Sequence, residues 1–193
     1  MKNRIEYCTK CVMPSSSAIS VEFDENGVCS GCNVSSQKVD IDWGRRKKQF
    51  QRLLDQYRNH DNNNYDCIIP VSGGKDSYFQ VHMIKNVFNM NPLLVTYNAN
   101  NWTKTGYENL HNMRDAFGCD HVFFTPSIDL LKRMNRIGFQ MMGDMNWHGH
   151  SGIFTYPFIV AAEKKIPLVI YGEHGFMDIG GMHSYNDYVE FTQ

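Results

Sequence analysis

Two groups of residues in this chain have the types and spacing that chemistry needs. The first is Cys8-x2-Cys11, followed seventeen residues later by Cys29-x2-Cys32. Each CxxC makes a tight knuckle, and two knuckles turn four sulfurs toward one ion. Four thiolates with no open position make a structural centre. Metal binding, worth roughly 10–16 kcal/mol in small peptides, would fold a segment too short to bury a core. Zn2+ is the expected ion, with iron in a rubredoxin-like site and a pair of disulfides as alternatives; a reducing compartment disfavours the disulfides. The second group is Ser72-Gly73-Gly74-Lys75-Asp76-Ser77. It follows an apolar run directly and opens a helical pattern, the setting of an anion-binding turn. Two glycines let the backbone come close to a phosphate. Amide N–H groups and the Ser72, Lys75 and Ser77 side chains would then donate to its oxygens, and Asp76 could carry Mg2+. The spacing is not GxxxxGK[ST], so transfer of a γ-phosphate is not the first expectation.

The elements that must position these residues are legible as changes in pattern. Residues 1–40 are rich in Cys, Ser and Gly and show no helical period, with Glu22–Val28 reading as a strand that enters an Asn26-Gly27 turn. Residues 41–61 carry Trp43, Phe50, Leu53, Leu54 and Tyr57 on one helical face and Arg45, Lys48, Gln49, Arg52 and Asp55 on the other. Asp61–Asn64 is a polar break. From residue 62 to 193 the pattern repeats strand, turn and helix. Apolar runs at Asp66–Val71, Leu93–Tyr97, His121–Thr125 and Leu168–Tyr171 alternate with helical periods at Ser77–Phe88, Tyr107–Phe117, Leu130–Met142 and Phe154–Lys165. The expected fold is α/β, a doubly wound parallel sheet of four strands with a small N-terminal zinc ribbon. Residues 183–193 complete no fifth unit, so the chain reads as stopping partway through a longer sheet.

The loop SGGKDS resembles the PP-loop of the N-type ATP pyrophosphatases, whose fold is that of the adenine nucleotide α-hydrolases. The likeness is wider than one loop. Cys8-Thr9-Lys10-Cys11-Val12-Met13-Pro14, then Phe23–Cys32, Trp43, Tyr65–Ile69, Ser72–Ser77, Asn91–Val95 and Tyr171-Gly172-Glu173 together resemble the N-acetyl sugar amidotransferases of surface-polysaccharide, lipopolysaccharide and pseudaminic-type sugar biosynthesis. The members of that family are longer than this chain. The resemblance implies an ATP-dependent conversion of an N-acetyl group on a sugar or nucleotide-sugar into an acetamidino group, with AMP and pyrophosphate released. It also implies ammonia from a separate glutaminase partner, because neither Cys67 nor Cys119 has the setting of a glutaminase nucleophile.

Further residues are candidates for the same site. Trp147-His148-Gly149-His150-Ser151-Gly152 leads into the last helix, and His148 and His150 are expected as substrate or phosphate contacts, the bland alternative being a polar loop with two exposed imidazoles. Glu173 follows a strand at its carboxyl end, where open α/β sheets bind ligands, and is expected to orient the incoming amine. Tyr97 and Asn98 end the second strand and are expected at the adenosine by analogy of fold. Arg45-Arg46-Lys47-Lys48 reads as a solvated helix face.

Composition narrows the classes. With 193 residues, 42% hydrophobic and 13% aromatic, the chain has ample apolar surface for one domain and a small module. Nineteen basic against twenty acidic residues leave no global positive field, which disfavours nucleic acid as a partner. No run approaches the roughly eighteen apolar residues of a membrane span, and the N-terminus lacks the apolar core of a signal peptide. Cytoplasmic placement and no membrane partner are therefore expected, with a homo-oligomer left open. Two rival readings stand beside the amidotransferase: a tRNA-thiolating enzyme, opposed by the neutral charge and the absence of a CxxC after residue 32, and a nucleotide-binding scaffold without catalysis.

Overall fold

The computed structural model describes residues 5–16, 21–61, 63–98 and 102–172. These fall into two compact units that meet within one helix, between Arg46 and Lys47.

The first unit is built from turns because it has little to bury. Its apolar cluster is Cys8, Val28 and Cys29, flanked by Met13, Val21, Phe23 and Cys32. Tyr7 pairs antiparallel with Pro14, and Phe23 with Cys29. The Asn26-Gly27 turn forms as expected, with Gly27 at φ +70°. Asp24 locks it: one carboxylate oxygen accepts from the amides of Asn26 and Val28, both at 2.9 Å, and the other accepts from the Asn33 side chain at 2.9 Å. The Asn33 contact, followed by that of Val28, holds the Asp24 carboxyl below its ordinary range. The second knuckle itself opens a helix that periodicity did not announce, α1 (Ser30–Ser36), with Cys29 at its N-cap and Cys32 within it, followed by a 3-10 turn (Gln37–Asp40). Neither buries a residue completely, so no apolar stripe was there to be read. The helix α2 (Trp43–Asp55) buries Leu54 and half-buries Phe50, whereas Trp43 and Leu53 of its apolar face stay exposed.

In the second unit, strands β1 (Cys67–Pro70), β2 (Pro92–Tyr97) and β3 (His121–Phe124) form a parallel sheet in the order β1-β2-β3. Ile68 faces Leu93, and Leu94 faces His121 in the ladder. The fourth expected strand is reduced to one parallel bridge, Ile68 to Val169, on the free side of β1. There the Ile68 amide donates to Leu168 O at 2.8 Å and the Ile170 amide to Ile68 O at 2.9 Å.

Helices follow each strand: α3 (Lys75–Val81), which continues as a π-helical stretch (His82–Val87), then α4 (Lys104–Phe117), α5 (Ile128–Met142) and α6 (Trp147–Lys164). Thr103 and Ser127 cap α4 and α5 by accepting from Gly106 and Leu130 amides. Successive strand residues point to opposite faces. Cys67, Ile69, Val71 and Leu94 join Leu54, Val81, Ile84, Leu110 and Met113 on one side, while Ile68, Leu93 and Val95 join Val160, Ala161 and Ile166 on the other. Helices thus cover both faces, and the sheet is doubly wound.

The amino edge of the sheet is tied down by side chains. The buried Asp66 carboxylate accepts from the amides of Asn59 and Asn91. Arg58 donates to the carbonyls of Phe88 and Asn89, and Tyr65 donates its hydroxyl to Asp120 at 2.6 Å. Asn64 reaches the Lys164 carbonyl at the end of α6 at 2.9 Å.

Among the described residues no helix is long and apolar enough to cross a membrane.

Candidate functional site

At the opposite, carboxyl edge, β1 runs through Val71 into the Ser72–Ser77 loop. Gly73 stands at φ +76°, and a Cβ there would lie 3.0 Å from the Leu110 backbone N and Cα. Only glycine lets the loop lie this close against α4. The two serines close the turn: the Ser72 amide donates to Ser77 Oγ at 3.0 Å, and the two hydroxyls lie 3.2 Å apart. Ser77 is buried and Ser72 Oγ accepts weakly from the Gly74 amide at 3.4 Å. The amides of Gly73, Lys75 and Asp76 find no acceptor among the described residues. No internal bond ties up these three N–H groups, as a backbone nest requires, with Lys75 and Asp76 exposed and Gly73 buried against α4. Lys75 Nζ lies 2.7 Å from Asp76 Oδ1, with the two side chains 88% and 80% exposed. So open an ion pair contributes little to stability and can be exchanged for contacts to a phosphate and a cation.

Tyr97 and Asn98 sit beside this loop's strand, at the end of β2. Tyr97 packs between Phe124 and Tyr156, with ring centroids 5.6 and 6.2 Å away. Burial raises the pKa of its hydroxyl. Asn98 Oδ1 accepts from the Trp102 indole, and its amide nitrogen donates to Thr125 Oγ1 at 3.3 Å.

The segment expected to lead into the last helix as a polar loop is already its first turns. α6 begins at Trp147, seven residues before Phe154. Its two glycines misled the periodicity: Gly149 and Gly152 are buried, and a Cβ on Gly152 would lie 2.5 Å from Tyr97 Cζ and 2.6 Å from Cδ1. Close packing on β2, not helix propensity, selects glycine here.

The two histidines separate. His148 is 6% exposed and turns inward, where Asn135 of α5, with its amide nitrogen toward the ring, donates to His148 Nε2 at 2.6 Å and to the Met145 carbonyl at 2.8 Å. Burial lowers the His148 pKa. His150 is exposed and pairs through Nδ1 with Asp144 Oδ2 at 3.0 Å. The picture of two exposed imidazoles therefore fails for His148, and only His150 presents its ring to solvent. Glu173, with the glycine-rich segment after it, lies outside the described residues.

In the first unit, the sulfurs of Cys8, Cys11, Cys29 and Cys32 all lie within 4.8 Å of one another. Two edges of the set are 3.9 Å (Cys8 to Cys32) and 3.5 Å (Cys11 to Cys29). A tetrahedron of sulfurs about 2.3 Å from one ion has edges of about 3.8 Å, so the donor set fits a single metal ion. The first knuckle is ready to hold a thiolate. Cys8 Sγ accepts from the amides of Lys10 and Cys29, both at 3.3 Å. Burial works against the charge, yet the amides of Cys29, Lys10 and Cys11 outweigh it and bring Cys8 down to about 6. Cys32 is pushed up to about 12 by its contact with Cys11 and by burial, and burial also raises Cys29. Sulfurs this close cannot all be anionic without a cation between them.

Several residues that shape the loop carried no signal in the sequence. Leu110 receives Gly73, Gln80 of α3 holds the Ile170 carbonyl at 2.7 Å, and Thr96 with His121 backs the loop from within the sheet.

No family model matches the chain. An uncharacterized protein of Methanocaldococcus jannaschii is 26% identical over 113 residues, which are 58% of this chain and 40% of that protein. The NH3-dependent NAD synthetase of Campylobacter jejuni, solved with a nitrate ion, aligns with a TM-score of 0.50 at 12% identity over 69% of this chain and 58% of its own. The U34-tRNA thiolase NcsA of Methanococcus maripaludis, solved with its [4Fe-4S] cluster, aligns with a TM-score of 0.41 at 18% identity over 86% of this chain and 53% of its own. At 12% identity the synthetase likeness is one of fold alone, a parallel α/β sheet. This chain spans well under two thirds of the length of each of these proteins.

Proposed function

We propose that the chain is an ATP-dependent PP-loop enzyme that cleaves ATP to AMP and pyrophosphate, and that its acceptor is the N-acetyl group of a sugar or nucleotide-sugar. The observation that carries the ATP reading is the Ser72–Ser77 loop: a serine-closed turn at the carboxyl end of β1, with three amides that find no acceptor among the described residues and the Lys75 and Asp76 side chains facing solvent. Such a loop is suited to a leaving pyrophosphate, whose negative charge grows as the α-phosphate bond breaks. Asp76 with the phosphate oxygens would share a Mg2+ ion. By analogy of fold, Tyr97 and Asn98 at the end of β2 would contact the adenosine.

The sugar reading rests on the resemblance of the ordered cysteine, loop and strand segments to the N-acetyl sugar amidotransferases. In that reaction the acetamide oxygen attacks the α-phosphate and pyrophosphate leaves, while the amide nitrogen loses its proton. Ammonia then adds to the imidate carbon and AMP departs, so the acetyl oxygen is replaced by NH. Adenylation is needed because an amide oxygen does not leave unaided. Ammonia would come from a partner glutaminase, and His150 and Glu173 are the candidates to handle the incoming amine. Cys8, Cys11, Cys29 and Cys32 would hold one Zn2+, which cross-links the first unit and takes no part in the chemistry.

The test is AMP and pyrophosphate formation from Mg·ATP and ammonium, with N-acetylated nucleotide-sugars in one arm and bulk tRNA in the other. Sugar-dependent AMP release, with oxygen replaced by NH in the product, is expected. Dependence on tRNA would move the enzyme to the thiolases, and silence in both arms with intact ATP binding would leave a scaffold.

A further inference from the structure

β1 passes the chain to the loop at Val71, and this residue is held at both ends of its peptide framework. Its amide donates to Val95 O at 3.0 Å, one residue beyond the last β1 to β2 ladder pair. Its carbonyl accepts from Thr96 Oγ1 at 2.7 Å. Thr96 is 3% exposed, so water does not compete for this bond. On the far side of the same hydroxyl, His121 Nε2 lies 2.9 Å from Thr96 Oγ1. A threonine hydroxyl has one proton, and Val71 O can only accept. Thr96 must therefore donate to Val71 and accept from His121, which places the His121 proton on Nε2. Three strands are thereby joined in one directed chain: His121 N–H of β3 to Thr96 O–H of β2 to the carbonyl that immediately precedes Ser72.

We propose that Thr96 and His121 are positioning residues for the Ser72–Ser77 loop, fixing the peptide between Val71 and Ser72 so that the Ser72 amide meets Ser77 Oγ and the loop keeps the shape in which the amides of Gly73, Lys75 and Asp76 have no internal acceptor. The functional half of this statement rests on the phosphate-loop reading above; the structural half does not. The carbonyl and the amide of that peptide are parts of one plane, so the Thr96 contact to Val71 O sets the direction of the Ser72 N–H. Without the hydroxyl the carbonyl is left buried and unpartnered, and the peptide can turn toward solvent, carrying the loop with it.

The test uses the full chain with Thr96→Val and His121→Leu, which remove the donors, and Thr96→Ser and His121→Gln, which keep them. Two readouts are taken: hydrogen exchange at the bonded amides of Val71, Ser72 and Tyr78, and the affinity for Mg·ATP and for inorganic pyrophosphate by calorimetry. Thr96→Val is expected to speed exchange at these amides and to weaken pyrophosphate binding about tenfold, roughly 1.4 kcal/mol. The amides of Ile68 and Leu94, bonded to Leu168 and Asp120, keep wild-type rates. His121→Leu moves the same amides in the same direction by about threefold, and the Ser and Gln variants restore both readouts. Unchanged loop exchange in Thr96→Val, acceleration of Ile68 and Leu94 along with the loop, or failure of Thr96→Ser to restore would overturn the proposal. If Thr96→Val does not fold, His121→Leu decides by the same readouts. A wild-type chain that binds neither ATP nor pyrophosphate would remove the phosphate reading alone, with the exchange comparison still deciding the positioning role.

Discussion

Replacing Gly152 by alanine sets helix propensity against packing, and packing should win. In a helix interior alanine is favoured over glycine by about 1 kcal/mol. At this position the new methyl would stand 2.5 Å from Tyr97 Cζ, about 1 Å inside the distance at which carbon atoms attract. The ring has little room to withdraw, since Phe124 and Tyr156 lie against it. Overpacking of this kind costs about 1–3 kcal/mol, and here the overlap falls on the rigid flank of an aromatic ring, so a cost of about 3 kcal/mol is expected. The net result is a loss of about 2 kcal/mol, or roughly 4–8 °C in Tm for a chain of this size. Urea unfolding of Gly152→Ala, Tyr97→Val and the double variant closes the cycle. With the ring gone, the same substitution should be neutral or stabilising by up to about 1 kcal/mol, giving a coupling of about 2–3 kcal/mol. A Gly152→Ala protein as stable as wild type, or one equally destabilised in both backgrounds, would show that α6 does not lean on Tyr97 in this way.

Lys75→Ala and Asp76→Ala are expected to abolish ATP-dependent pyrophosphate release while leaving the unfolding midpoint within about 0.5 kcal/mol of wild type, because both side chains are exposed; a loss of folding would mark the loop as structural. Metal removal by a strong chelator should unfold residues 5–46, read as lost circular dichroism with release of about one ion per chain, and an unchanged spectrum after full removal would sink the metal centre. Between pH 7 and 5 the second unit should lose stability. Burial, with smaller contributions from His111 and Arg114 of α4, depresses His121 to about 4, so the unfolded chain takes up a proton near its ordinary pKa of about 6.5 while the folded chain does not. The stability is thus present above about pH 6.5 and lost as pH falls toward 4, by about 1 kcal/mol at pH 5 after allowance for partial exposure. Denaturation of wild type against His121→Gln reads it as a difference in slope, and identical slopes would refute it.

What the sequence revealed was whatever is local. The cysteine knuckles and the Ser72–Ser77 turn are set by neighbours a few residues apart, and the continuous apolar runs of β1 and β2 are what strands buried on both faces require. Contacts between distant segments were illegible. Thr96 lies 25 residues from Val71, and inside an apolar run a threonine reads as one more β-branched strand residue. The start of α6 was hidden because glycines that serve close packing look like loop residues when the ring they face is not known. Leu168–Tyr171 has the composition of a strand, but it makes only a single bridge among the described residues, and composition does not report how many partners a run will find. α1 lacks a period because it buries no residue completely, and periodicity is a record of burial.

The buried Asp66 carboxylate, gripping the amides of Asn59 and Asn91, gives the sheet a foundation at the edge away from the loop. With Arg58, Asn64 and Tyr65 it holds segments together, whereas among the described residues the Lys75 and Asp76 side chains at the other edge pair only with each other. A scaffold divided in this way can have its working rim rewritten without loosening its base. On the proposed reading, new acceptor chemistry arises by exchanging residues around His150 or Asn98, while the joints beneath continue to set where the loop stands.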